Sequence, residues 1–138
     1  MEKTLDTYYQ HICNSSHLPT PNHAQRWSRA ILKTLGVHLD RSTKQALAKA
    51  LPKELAADLQ GVFWLLHFRN TQASRSEFQY QAAMRSGNTD VDFALYPILA
   101  VFAGLKKLIN SDLSGRIANT LAPEIRALWQ QAGNEANA

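Results

Sequence analysis

The sequence predicts an all-α protein, with about eight helices in two pseudo-repeated units that pack as one compact, bundle-like domain. One observation is that apolar residues recur at spacings of three and four, as they do on the buried face of a helix. The other is a constant offset of seventy residues between the two halves, and a shared register over several helices is typical of an internal repeat. The offset aligns Leu35, Leu39, Leu47, Leu51, Glu54, Leu55 and Leu59 with Leu105, Ile109, Ile117, Leu121, Glu124, Ile125 and Trp129.

These patterns divide the single domain of residues 1–138 into repeat one at about 1–69, repeat two at about 70–131, and a frayed polar tail at about 132–138. Phe63 and Trp64 lie in the apolar stretch 61–68 between the repeats, where we expect them to form a core seam. The alternative is an exposed interaction surface at these two residues. The residues predicted to be inside are Leu35, Leu39, Leu51, Leu55, Phe63, Leu105, Ile109 and Ile117.

Four helices are predicted in the first half. The first is short and ends near Cys13. Thr20 followed by Pro21 begins the second, which runs to about His38, because a threonine can cap free amides and proline suits the first helical position. Residues 42–45 fit a capping box and begin the third helix.

Pro52 separates the third helix from the fourth, because the residue before a proline avoids helical angles. The fourth helix is predicted to run through Phe68. Gly61 lies inside it and indicates close packing or a bend, since glycine lowers helix propensity by about 1 kcal/mol.

Four more helices are predicted in the second half. Residues 74–77 form another capping box that opens the fifth helix, and Gly87 ends it. Asp90 takes the place of Thr20 at the start of the sixth helix, where Pro97 predicts either a kink or a true start nearer Leu95. The seventh spans about 112–121 and the eighth about 123–131.

The positive charge is concentrated in the first half. Residues 1–69 hold nine Lys or Arg and five Asp or Glu, whereas residues 70–138 hold six of each. A basic stretch of this kind is a candidate polyanion-binding face, although a solvated outer face has the same composition. The candidate residues are Arg26, Arg29, Lys33, Arg41, Lys44, Lys49 and Lys53.

Several motifs resemble those of a known bacterial family. Leu51-Pro52 with Glu54-Leu55, then residues 59–61, then Ser76-Glu77-Phe78 are similar to the family of the domain of unknown function 2267. The resemblance covers most of the chain. It implies a small all-α protein in which one helical unit occurs twice within the chain, and it implies no catalytic residue. Val62 follows the glycine where family members often carry an aromatic residue.

Motifs that carry chemistry are largely missing from the sequence. It contains no phosphate loop, no nucleophile elbow and no zinc-protease motif. His11, Cys13, His17 and His23 are the one dense set of potential ligands, but their spacing fits no regular zinc pattern, so we predict no metal and no cofactor. Asp90 and Asp92 suit a helix start better than acid–base catalysis.

The sequence therefore favours a non-catalytic helical module that acts in protein interaction or as a scaffold, with a protein partner or self-association. The alternative is nucleic-acid or polyanion binding through the basic face of residues 26–53. A single cysteine, no secretion signal and no long apolar run predict a cytoplasmic protein without a membrane segment.

Overall fold

The computed structural model describes residues 2–61, 73–88 and 90–132, with side chains from Leu5 onward. Within these ranges the chain forms eight α-helices and no strand, which confirms the all-α prediction. The helices are α1 (Glu2–Ser16), α2 (Pro21–His38), α3 (Arg41–Ala50), α4 (Lys53–Leu59), α5 (Arg75–Ser86), α6 (Leu95–Leu108), α7 (Ser111–Thr120) and α8 (Pro123–Gln131).

Several helix boundaries follow from local sequence as predicted. The backbone N–H of His23 donates to the Thr20 hydroxyl at the start of α2. The N–H of Glu77 donates to the Ser74 hydroxyl, 3.1 Å away, at the start of α5. Gly87 ends α5 with φ 81°, a left-handed conformation that glycine adopts without steric strain.

Other boundaries differ from the prediction. α3 begins at Arg41 because the Asp40 carboxylate accepts the Thr43 N–H at 2.7 Å, so the predicted cap at residue 42 is wrong. α1 continues past Cys13 to Ser16. α6 begins at Leu95, after a turn in which Asp90 accepts the Phe93 N–H, and this agrees with a true start near the proline.

The fourth helix is shorter than predicted, because it ends at Leu59 instead of running through Phe68. Its last turn tightens where the Gly61 N–H bonds the Asp58 carbonyl, three residues back. Gly61 also lies against α2, since a Cβ at this position would approach Lys33 Cε to 2.8 Å. Phe63 and Trp64, and with them the predicted core seam, lie outside the described residues.

The helices pack across the two halves of the sequence. α1 packs on α6, α5 packs on α2, and α2 also contacts α6. The start of α3 contacts the end of α7, where the Thr120 hydroxyl donates to Asp40 at 2.8 Å and Arg116 donates to Ser42. The division into two repeats stays a prediction, which a superposition of residues 20–60 on 90–130 would test.

The core agrees with the predicted set wherever that set is described. Leu35, Leu39, Leu51, Leu55, Leu105 and Ile117 are buried, while Ile109 is partly buried and packs against the core. Ala132, the last residue that the structure describes, is only 1% exposed and belongs to the core cluster. Over the described ranges, no helix combines the length and the apolarity that a bilayer crossing requires.

Candidate interaction sites

The seven predicted basic residues are not equally accessible. Five are exposed, and among them the Arg29 side chain is 53% exposed. Lys33 and Lys44 are only partly exposed. Besides Arg29, the exposed side chains are Arg26, Arg41, Lys49 and Lys53.

Asp58 of α4 lies close to two members of this basic set, Arg29 and Lys33. Arg29 Nε lies 3.6 Å from Asp58 Oδ1. Burial raises the pKa of the Asp58 carboxyl, and the positive charges of Arg29 and Lys33 oppose this rise. These two cations therefore face a carboxylate of their own chain. Phosphates that approached them would also meet that negative charge.

Lys44 is tied to the fold in a different way. It is partly covered, and burial lowers the pKa of its ammonium group. Its Cε lies 3.3 Å from the position that a Cβ on Gly36 would occupy. The aliphatic part of Lys44 thus covers the glycine at which α4 meets α2, as long cationic side chains often cover apolar surface.

The most exposed large apolar side chains of α5 form a stripe on one face of the helix. Tyr80 and Met84 are 55% and 52% exposed, and a spacing of four puts them on one helix face. We call this pair the α5 stripe. It lies on the side opposite Phe78, because two residues turn a helix by about 200°. That angular separation from the buried Phe78 was the available sequence signal.

The positions of α1 that the predicted seventy-residue offset aligns with the stripe are polar. Seventy residues before Tyr80 and Met84 stand Gln10 and Asn14, both exposed. The Gln10 amide N–H donates to the Asn14 amide oxygen at 3.1 Å. At the positions that the offset aligns, α5 therefore carries an apolar pair, and α1 carries a polar pair whose side chains bond each other. Core packing does not require the apolar pair, since both side chains point away from it.

A seam of polar contacts fixes α5 on α2 along the flank of α5, beside the stripe. Arg85 Nη1 donates to the buried Thr34 hydroxyl at 2.8 Å, and this hydroxyl in turn donates to the Ala30 carbonyl. His38 Nε2 lies 3.0 Å from Gln81 Oε1. Each pair has one member on α2 and one on α5. Hydrogen bonds made in such a partly buried position hold the two helices in one register.

The candidate chemical residues do not converge. His23 Nδ1 lies 2.8 Å from the Thr20 hydroxyl, His17 lies in the turn after α1, and Cys13 is buried. Burial raises the pKa of the Cys13 thiol, which disfavours the reactive thiolate. In the described part of the chain, no three His, Cys, Asp or Glu side chains are grouped so that they could hold a metal ion.

Comparison with known proteins agrees with the resemblance seen in the motifs. The family described as uncharacterized conserved protein (DUF2267) matches residues 5–128, which is most of the chain and includes the six helices α2 to α7 completely. No curated protein matches it. The extent of the family match establishes that the chain belongs to the DUF2267 family.

Proposed function

We propose that the protein is a non-catalytic helical interaction module that binds a protein partner through the outer face of α5. The observation that carries this proposal is the exposure of Tyr80 and Met84 side by side on that helix. Tyrosine and methionine are enriched in protein interfaces. Tyrosine supplies a large contact area for little conformational entropy, and methionine adapts to irregular surfaces.

The hydrogen bonds between α5 and α2 support a role of α5 in partner binding. The Thr34–Arg85 and His38–Gln81 contacts anchor α5 to the longest helix of the described chain, so a partner would meet a preorganised surface. Preorganisation raises affinity because little flexibility is lost on binding. The two exposed side chains would then serve as anchors surrounded by polar residues of α5, the arrangement of a small interaction site.

The size of the stripe argues for a transient complex with a different protein. A stable interface buries roughly 800 Å² on each partner, and two half-exposed side chains supply a small part of that area. We therefore propose a heterologous partner that inserts apolar side chains between Tyr80 and Met84. A second copy of the chain is the other outcome that the experiment distinguishes.

Site-specific photocrosslinking tests the proposal. A photoreactive phenylalanine analogue is placed at position 80 and, as a matched control, at position 10 on the polar face of α1. We expect position 80 to crosslink one defined protein in cells and position 10 to give none. A product of twice the chain's mass would indicate self-association, and identical patterns at both positions would refute a docking role for α5.

The cellular setting is also part of the proposal. We infer a cytoplasmic bacterial protein, because a single buried cysteine suits a reducing compartment and the family resemblance is to bacterial proteins. Fractionation of the native cells, with the chain followed by an antibody, tests this placement. Recovery in a membrane or secreted fraction would contradict it.

A second candidate function is polyanion binding, which the exposure of Arg26, Arg41, Lys49 and Lys53 favours. Because phosphate contacts release counterions, such binding would weaken steeply as salt is raised. Fluorescence anisotropy with mixed-sequence DNA and RNA at low salt measures it. No binding by the unmodified protein would eliminate this candidate.

A further inference from the structure

Two side chains of α1, one helical turn apart, lie against Gly104 of α6. Tyr8 packs directly on Gly104 of α6, where a Cβ would approach the tyrosine ring to 2.9 Å. The Tyr8 hydroxyl also lies 2.7 Å from the buried Ser28 hydroxyl of α2. His11 is the second side chain, and its Cδ2 lies 3.8 Å from the same Cβ position.

The ring of His11 is bonded at one nitrogen only. It donates a hydrogen bond to the backbone carbonyl of Ala100 on α6. Its Nε2 is buried and has no hydrogen-bond partner among the described residues. A neutral imidazole carries a single N–H, so the proton that reaches Ala100 is on Nδ1 and the Nε2 lone pair faces the interior.

The surroundings of His11 oppose a positive charge. Burial lowers the pKa of His11, and the ammonium group of Lys107 on α6 lowers it further. On α1 the nearby ionisable groups are the Tyr8 phenol and the exposed Asp6 carboxylate, which lines the same surface groove. On α2, Arg29 lies beside Tyr9 and Asp58, and on α6 Lys106 donates to the carbonyls of Trp129 and Ala132.

We propose that His11 is an acid-sensitive latch, which holds α1 on α6 while the ring is neutral and loosens it when the ring is protonated. Protonation would place an N–H on Nε2 where the described chain offers no acceptor, and it would add a cation close to Lys107. A buried donor left without a partner destabilises the arrangement that buries it. Separation of α1 from α6 returns the charged ring to water.

The direction of the pH dependence follows from the lowered pKa. The latch stabilises the docked helix fully above the ordinary histidine pKa of about 6.5. This stabilisation is lost as the pH falls from there towards the pKa of the folded state, because the undocked helix takes up the proton first. Mild acid therefore favours undocking of α1, and alkaline conditions do not.

The reactivity of Cys13 reports the release of α1. This only cysteine lies on α1, two residues after His11, and is 6% exposed. Its labelling by 4,4′-dithiodipyridine is compared at about pH 7.5 and about pH 5.5, on either side of the ordinary histidine pKa. His11→Asn keeps an N–H for the Ala100 carbonyl but cannot titrate, and His17→Asn removes an exposed histidine as the matched control.

The expected result is faster labelling in acid for the unmodified protein and for His17→Asn, relative to His11→Asn. The acceleration is about tenfold for each unit by which folding lowers the pKa. Lys107→Gln should reduce the acceleration, because it removes the repulsive charge. An acid-to-neutral ratio that is the same in His11→Asn and in the unmodified protein would overturn the proposal.

A measurement on the unmodified protein covers the case in which a variant fails to fold. An NMR titration of the histidine ring protons gives the pKa of His11 directly. We expect it to lie below the ordinary histidine value of about 6.5. A His11 pKa at or above the ordinary histidine value would overturn the latch.

Discussion

Gly36 provides the sharpest test of how the helices are packed, because α4 ends directly against it. A Cβ at this position of α2 would lie inside 3.0 Å of the Leu59 carbonyl oxygen. The obstacle is backbone, so it cannot rotate away as a flexible side chain would. Gly36→Ala should therefore push the end of α4 away from α2, and the Lys44 side chain that covers this contact should move with it.

The expected cost can be worked out from two opposing effects. Overpacking destabilises by about 1–3 kcal/mol, and a backbone obstacle places this substitution near the upper end. Replacing glycine by alanine inside a helix recovers about 1 kcal/mol. The net loss should be about 2 kcal/mol, which moves the urea midpoint down by about 1 M for an m value of about 2 kcal/mol/M.

Gly115→Ala is the matched control for this experiment. Gly115 is also inside a helix, but a Cβ there would meet nothing within 4 Å. The control should be stabilised by up to about 1 kcal/mol, the helix-propensity gain alone. Both variants are measured by urea unfolding with circular dichroism. If Gly36→Ala proved as stable as Gly115→Ala, the close approach of α4 to α2 would be refuted.

Three further predictions concern single side chains. Lys106→Met should cost about 2 kcal/mol in thermal unfolding, because Lys106 Nζ donates to two carbonyls at the end of α8; a loss below about 0.5 kcal/mol would contradict this. Burial raises the pKa of Tyr8, so the free energy of unfolding should fall as the pH rises above about 10. Urea titrations in alkaline buffer measure this loss, and an equal loss in Tyr8→Phe would exclude Tyr8 as the cause. Phe63→Ala should cost on the order of 3–5 kcal/mol if residues 61–68 pack in the core, and an unchanged melting temperature would place the seam elsewhere.

Local sequence signals were sufficient for most of the fold. Thr20 and Pro21, Ser74 and Pro123 mark helix starts through interactions within one turn, and the structure places helix starts at each. Asp40 was missed because several polar residues near it could also cap the helix. The end of α4 was missed because the apolar pattern of the sequence continues past Leu59 through Phe68, and this pattern alone does not mark where a helix stops.

The candidate sites were less predictable for a related reason. Arg29 and Lys33 look like an uninterrupted basic face in the sequence, yet Asp58 reaches them from a different helix. The hydrogen bonds of the polar seam join residues that are 43 and 51 positions apart in the sequence, and no local pattern reports such pairs. Tyr80 is a large apolar residue like those of the core, and only its position on the helix relative to the buried Phe78 indicates that it faces outward.

The central claim is tested most directly by replacing the α5 stripe with the polar pair of α1 and measuring the affinity of this variant for the partner. Tyr80→Gln with Met84→Asn gives α5 the residues found at positions 10 and 14, and Gln10→Ala with Asn14→Ala is the control. Calorimetric titration with the crosslinked partner should show a Kd at least about tenfold weaker for the α5 variant, a loss of about 1.4 kcal/mol, and an unchanged Kd for the control. Unfolding of both variants should stay within about 0.5 kcal/mol of the unmodified protein. Equal affinity of the α5 variant and the unmodified protein would contradict the assignment of α5 as the interaction surface.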